Sequence, residues 1–201
     1  MPIQDNQTIN PCIKQLDSVL LKFGMSDEAE RNKIYNFCSQ HSFATEETLH
    51  RSGEIATNAF FICAGLVRFF YITEDGKEHN KSFSKENQFA GVVQSSVKPE
   101  PGRYYIQALE PTRVLALPLL HLNKLYQESL AWANLGRLYM EILALRKTNR
   151  EAEFLLDSAE QRYKSFVEGE PELVDRLALY HIASYLGITD VALSRIRRRI
   201  K

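Results

Sequence analysis

The stretch from residue 43 to 118 limits the fold more than any other part of the chain. It is rich in aromatic and β-branched residues and is broken at Gly53, Gly65, Gly76, Gly91 and Gly102. Short runs of this kind between turn residues read as strands, because branched and aromatic side chains suit a pleated, half-buried surface. AFFICAGLVRFFYITEDGKEHNKSFS spells strand, Ala-Gly turn, strand, Asp-Gly hairpin turn and strand. Residues 104–109 and 112–117 add two strands joined through Glu110-Pro111, and the KPEPG run at 98–102 is a loop by composition. Strands this short and this evenly spaced predict an antiparallel barrel or sandwich.

On either side the periodicity becomes helical. Residues 10–41 carry Ile13, Leu16, Val19 and Leu20, then Ile34, Phe37 and Cys38, at helical intervals, with Ser26 as an N-cap followed by acids. After Pro118, Leu135, Leu138, Ile142, Leu145, Asn149, Ala152 and Leu156 alternate spacings of 3 and 4 residues. That is an a/d seam with Asn149 at an a position, as in a two-stranded coiled coil. The same pattern also suits one amphipathic helix laid on the barrel, or a helix that docks another protein. Gly169 and Pro171 then punctuate the chain.

The final segment, LYHIASYLGITDVALSRIRRRIK, holds two short amphipathic helices broken by Gly187. Ile182, Ala183 and Leu186 share one face of the first, and Leu193, Ile196 and Ile200 one face of the second. Arg195, Arg197, Arg198, Arg199 and Lys201 crowd the second helix against a single acid, Asp190. The formal net charge of the whole chain is zero, so this tail, at about +4, is balanced by about −4 elsewhere. A helix, a glycine turn and a cationic second helix are the parts of a helix-turn-helix, whose second helix enters the DNA major groove.

With 44% hydrophobic and 25% charged residues the chain is an ordinary globular protein. No apolar run reaches the ~18 to 20 residues of a membrane span, and MPIQDNQTIN has no signal-peptide pattern. Cys12, Cys38 and Cys63 are too scattered for a disulfide framework, a metal site or an iron–sulfur cluster, and read as reduced, buried thiols of a cytoplasmic protein. His79, beside the Asp75-Gly76 turn, reads as a solvated side chain and not a haem ligand. No nucleophile–base pair, paired carboxylates or P-loop points to an enzyme.

The string AEQRYKSFVEGEPEL followed by IASYLGITDVALSRIRRRI resembles the Crp/Fnr superfamily of bacterial transcription regulators. The likeness is sharpest where Arg162, Ile182, Ala183, Leu186, Gly187, Leu193, Ser194, Arg195 and Ile196 follow the family pattern, and the first 118 residues resemble its cyclic-nucleotide-binding β-roll less specifically. The implied fold is α+β: an antiparallel β-roll of jelly-roll type with flanking helices over 1–130, a long dimerisation helix over 131–157, and a helix-turn-helix over 158–201. The family's β-hairpin wing is missing from its expected place after the last helix. The resemblance implies a homodimer that binds double-stranded DNA, responds to a small-molecule effector in the roll and meets RNA polymerase, with no membrane partner. The alternative is a small-molecule-binding module, a cyclic-nucleotide binder among the options, with a vestigial DNA-binding unit.

Within that resemblance Arg195 matches the family's base-reading arginine, which pairs bidentately with guanine and supplies ~1 to 3 kcal/mol of discrimination. Thr189 is an N-cap that can also hold a phosphate. Asp190 and Val191 stand where the family often places an arginine and a glutamate, so the target cannot be copied from better-known members. Ser194, Arg198 and Arg199 complete the expected DNA-contacting set, with phosphate contact set against a solvated face for the charge run. In the roll, Phe89, Gly91, Val92, Arg103 and Tyr104 correspond to the ligand-binding stretch. Arg103 can stand in for the phosphate-binding arginine. The ribose-binding carboxylate is missing near Gly91 and Val92, and Tyr104 replaces a small hydroxyl residue, which argues against a cyclic nucleotide because buried ribose hydroxyls would go unpaired. A different effector, or none, remains. Leu135, Leu138, Ile142, Leu145, Asn149 and Ala152 are the expected dimer interface.

Overall fold

The computed structural model describes residues 10–200; residues 1–9, the start of the expected sensor domain, and Lys201 lie outside the described residues. The chain divides into two compact units. The first runs to Phe69 and resumes over Phe83–Tyr139, and the second comprises Phe70–Ser82 and the chain from Met140 onward.

The first unit opens with α1 (Pro11–Lys22) and α2 (Glu28–Tyr35). Asp27 caps α2, its carboxylate accepting from Ala29 N at 2.8 Å, so the cap falls one residue after the expected Ser26. Helix also stops earlier than the periodicity suggests, since Ser39–Phe43 is already strand β1. Strands β2 (Thr48–His50), β3 (Asn58–Ala64), β4 (Val67–Ile72), β5 (Glu78–Ser84), β6 (Phe89–Ala90), β7 (Tyr105–Ala108) and β8 (Thr112–Pro118) follow. They form two four-stranded sheets, ordered β1-β8-β3-β6 and β2-β7-β4-β5. The β3–β8 pair is antiparallel, with Phe61 opposite Leu115 and Ile62 opposite Val114.

Alternation along these strands sorts the side chains into two cores, because neighbours on a strand point to opposite faces. Ile62, Ala90 and Val114 from one sheet meet Val67, Phe69 and Ile106 from the other, filling the interior of the roll. Phe61, Cys63, Leu115 and Leu117 point outward and are covered by Cys12, Leu16 and Leu20 of α1, by Leu122 and Leu125 of α4 (Leu119–Glu128), and by Trp132. A short helix α3 (Val93–Val97) interrupts the loop after β6.

Helix α5 (Leu130–Leu156) is unbroken over 27 residues, and Trp132 is its one buried side chain. Along the predicted seam Leu135, Leu138 and Ile142 are half-buried, whereas Asn149 and Ala152 are exposed and Leu145 and Leu156 are 61% and 81% exposed. In the second unit α6 (Ala159–Gly169) begins with a capping box: Ser158 Oγ accepts from Gln161 N, and Gln161 Oε1 from Ser158 N. Helices α7 (Pro171–Arg176), α8 (Leu179–Leu186) and α9 (Asp190–Ile200) follow. Among the described residues no helix is long and apolar enough to cross a membrane.

Candidate nucleic-acid interface

Helix α8 buries His181, Ile182, Ala183 and Leu186, and α9 buries Leu193 and Ile196. The turn between them rests on Gly187 in the left-handed region, at φ 69°. There Gly187 N donates to Ser184 O at 3.2 Å and Ile188 N to Ala183 O at 3.1 Å, satisfying carbonyls that a helix end leaves open. A side chain at 187 would also collide with a neighbour, since its Cβ would lie 2.8 Å from Phe154 Cε1. Thr189 then starts α9, its Oγ1 accepting from Ala192 N at 3.2 Å.

Burying Leu193 and Ile196 turns the opposite side of α9 outward. Val191, Arg195 and Arg198 are exposed and Ser194 half-buried; helical spacing puts these four on one face over two turns. Thr189 and Asp190 are exposed at its start. Arg197 and Arg198 line a cleft of about 210 Å³ with Leu179 and Ser194. Arg199 reaches back toward Glu160 at 4.0 Å. The carboxyl of Glu160 is held below its ordinary range by a hydrogen bond from Lys164 and by the charges of Lys164 and Arg199. The arginine run therefore divides, with Arg195 and Arg198 outward beside Val191 and Arg199 drawn toward an acid.

Two further arginines grip the turn. Arg162 donates from Nε to Leu186 O at 3.2 Å and from a terminal nitrogen to Asp157 O at 2.7 Å. The guanidinium of Arg150 lies between aromatic rings, 4.0 Å from the centroid of Phe154 and 3.9 Å from that of Tyr185. It donates to the Tyr185 carbonyl and pairs with Glu153 at 2.9 Å. The last carbonyls of α8 thus receive charged donors, which bind more strongly than neutral ones. Sequence reading noted Arg162 only as a family position and missed Arg150; the Arg-x-x-x-Phe spacing, one helical turn, was the available signal. A third support is a buried polar cluster. Asn80 donates from Nδ2 to His181 O at 3.1 Å, and its backbone N–H donates to Ser184 Oγ at 2.9 Å.

The residues expected to hold a ligand in the roll divide as well. Tyr104 is 3% exposed, and its hydroxyl donates to Gly91 O at 2.9 Å and accepts from Val93 N at 3.3 Å. Its ring centroid lies 5.9 Å from that of Phe69 within the interior cluster, which Val92 joins. Phe89 instead packs against the outer core, 5.3 Å from Phe61 and 5.6 Å from Tyr139. Arg103 is exposed. Gly102 passes so near His50 that a Cβ there would meet Nε2 at 2.8 Å. That nitrogen is buried without a partner among the described residues, and burial lowers the imidazole's affinity for a proton, opposed by Glu54. Cys12, Cys38 and Cys63 are all free and buried. His79 is half-buried on β5.

A β-roll followed by a long helix and a helix-turn-helix defines a two-part class of protein. Residues 40–129 match the cyclic nucleotide-binding domain family. The transcriptional activator protein FnrA of Stutzerimonas stutzeri is 27% identical over 169 residues, covering 77% of this chain and 67% of that one. FixK2 of Bradyrhizobium japonicum superposes with a TM-score of 0.72 at 18% identity, covering 81% of this chain and 84% of that one. A transcriptional regulator from Eubacterium rectale assigned to the crp/fnr family gives 0.70 at 15% identity, covering 90% and 87%. The solved structures share the α+β fold. The resemblance to the Crp/Fnr superfamily is borne out: the chain is similar to transcription regulators of that type, and residues 40–129 form a cyclic-nucleotide-binding-like domain.

Proposed function

We propose that this chain is a DNA-binding transcription regulator that acts as a homodimer and reads its target with α9. The observation that carries this reading is the outward face of that helix, where Val191, Ser194, Arg195 and Arg198 are presented opposite a buried Leu193 and Ile196. Arg195 reads a guanine, Thr189 and Arg198 hold phosphates, and Asp190 and Arg199 flank the contact. The sensor comprises residues 1–130, the dimerising helix 131–157 and the DNA-binding domain 158–201. The seam of α5 supports the dimer, because Leu145 and Leu156 leave apolar surface uncovered at the spacing of a two-stranded coiled coil. Its recognition helices would then meet half-sites one duplex turn apart.

The effector is a small molecule other than a cyclic nucleotide held in the family's usual way. Tyr104 fills the interior beside Gly91 with its own hydroxyl bonded there, and Val92 supplies no carboxylate for a ribose. Selection of bound fragments from random duplex DNA, run with and without cell extract, tests the regulator reading. A single enriched near-palindrome is expected. Absence of any preference at low ionic strength, in both arms, would overturn it.

A further inference from the structure

We infer that Val191 reads the 5-methyl group of a thymine, making pyrimidine methylation a determinant of target choice. The inference rests on the regulator reading above and deepens it. Val191 is 62% exposed near the start of α9, on the face that presents Ser194, Arg195 and Arg198. Valine gains little from such a position, since its branched side chain loses χ1 freedom in a helix and here covers no core. Its isopropyl group has no donor or acceptor. Against the N4 amino group of cytosine or the N7 and O6 of guanine it would bury polar atoms unpaired. The thymine methyl is the apolar feature of the major-groove edge, and it is the surface an aliphatic side chain contacts there.

The position of Arg195 constrains where that thymine lies. Four residues of helix advance by about 6 Å, close to two base-pair steps. Val191 and Arg195 therefore address different base pairs of one half-site: a thymine for the first and a guanine for the second, within about two steps of each other.

The test needs no variant at first. In the selected duplex each thymine is replaced in turn by deoxyuridine, which removes the methyl and leaves the hydrogen-bonding edge intact. One position per half-site should weaken binding about fourfold, and about sixteenfold when both half-sites are changed, as expected for one buried methyl per site. At that position cytosine should bind worse than thymine, and 5-methylcytosine should recover about fourfold over cytosine. Val191→Ala, at an exposed position, should bind the thymine and deoxyuridine duplexes almost equally. A selected duplex that binds as tightly with deoxyuridine at every thymine overturns the methyl contact and leaves the regulator reading standing. So does undiminished methyl dependence in Val191→Ala. Failure to select any duplex overturns both.

Discussion

Gly187→Ala offers a direct measure of how the helix-turn-helix is held. An alanine at φ 69° must adopt the left-handed conformation, which costs an L-residue about 1–2 kcal/mol. Its Cβ would also stand 2.8 Å from Phe154 Cε1, so that ring must move by several tenths of an ångström. Two guanidiniums engage the ring, that of Arg150 4.0 Å from its centroid and that of Arg162 5.2 Å away. Displacing it weakens cation–π contacts of about 0.5–1 kcal/mol each. The total is about 2–3 kcal/mol, read as a shift in urea unfolding followed by circular dichroism at fixed protein concentration. Two companions separate the contributions. Gly187→Asn keeps the Cβ but tolerates the left-handed backbone better, so it should lose about half as much. Repeating Gly187→Ala in a Phe154→Ala background removes the collision and should reveal a coupling of about 1 kcal/mol. A loss below about 0.5 kcal/mol, the scale of ordinary surface substitutions, or a loss unchanged without the Phe154 ring, would refute this account.

Four other outcomes are expected. Arg195→Ala should flatten base preference at one position per half-site in a repeated DNA selection, whereas Arg198→Ala should weaken all sequences alike and reduce the salt slope by about 1. Leu145→Asp with Leu156→Asp should yield a monomer in sedimentation with its helix content kept, because both side chains are exposed in the single chain. Tyr104→Phe leaves Gly91 O and Val93 N without the hydroxyl, a loss of about 1–3 kcal/mol in urea unfolding. Burial pushes the Cys38 thiol up from 9.0 to about 12, so its contribution is complete below pH 9 and is lost as pH rises toward 12. Between pH 8 and 10 the wild type should therefore lose about 1 kcal/mol more stability than Cys38→Ala.

The elements legible in the sequence are those whose own side chains carry the pattern. Strands β3 and β4 announce themselves through branched and aromatic runs on either side of Gly65, β5 through the turn at Gly76, and α5 through its seam. Strand β1 does not. Four of its five residues, SQHS, are polar and exposed, and it is a strand because β8 offers its edge from some seventy residues away. Strands β2 and β6 are three and two residues long, too short for any alternation to register. The cap of α2 shifted from Ser26 to Asp27 because both residues can cap and local sequence ranks them nearly equal. In the interface, the outward face of α9 was predictable from the spacing of Leu193 and Ile196. The supports behind it were not, because Asn80 lies 101 residues from His181 and Arg150 lies 35 from Tyr185.

The roll shows how a position can be matched by resemblance before the contacts of its side chain are known. Tyr104 stands where the family places a small hydroxyl residue, and it does present a hydroxyl. That hydroxyl sits at the far end of a ring, however, and the ring packs near Phe69 inside the roll. Hydrogen bonds from Val93 N and to Gly91 O then satisfy two backbone groups of the loop after β6. A molecule that displaced the ring would have to replace both bonds, offering a donor to the Gly91 carbonyl and an acceptor to the Val93 N–H. A molecule without such a pair would leave two buried polar groups unmatched, at about 1–3 kcal/mol each. A molecule that took the place of the tyrosine hydroxyl would therefore be compact and carry donor and acceptor side by side, as that hydroxyl does.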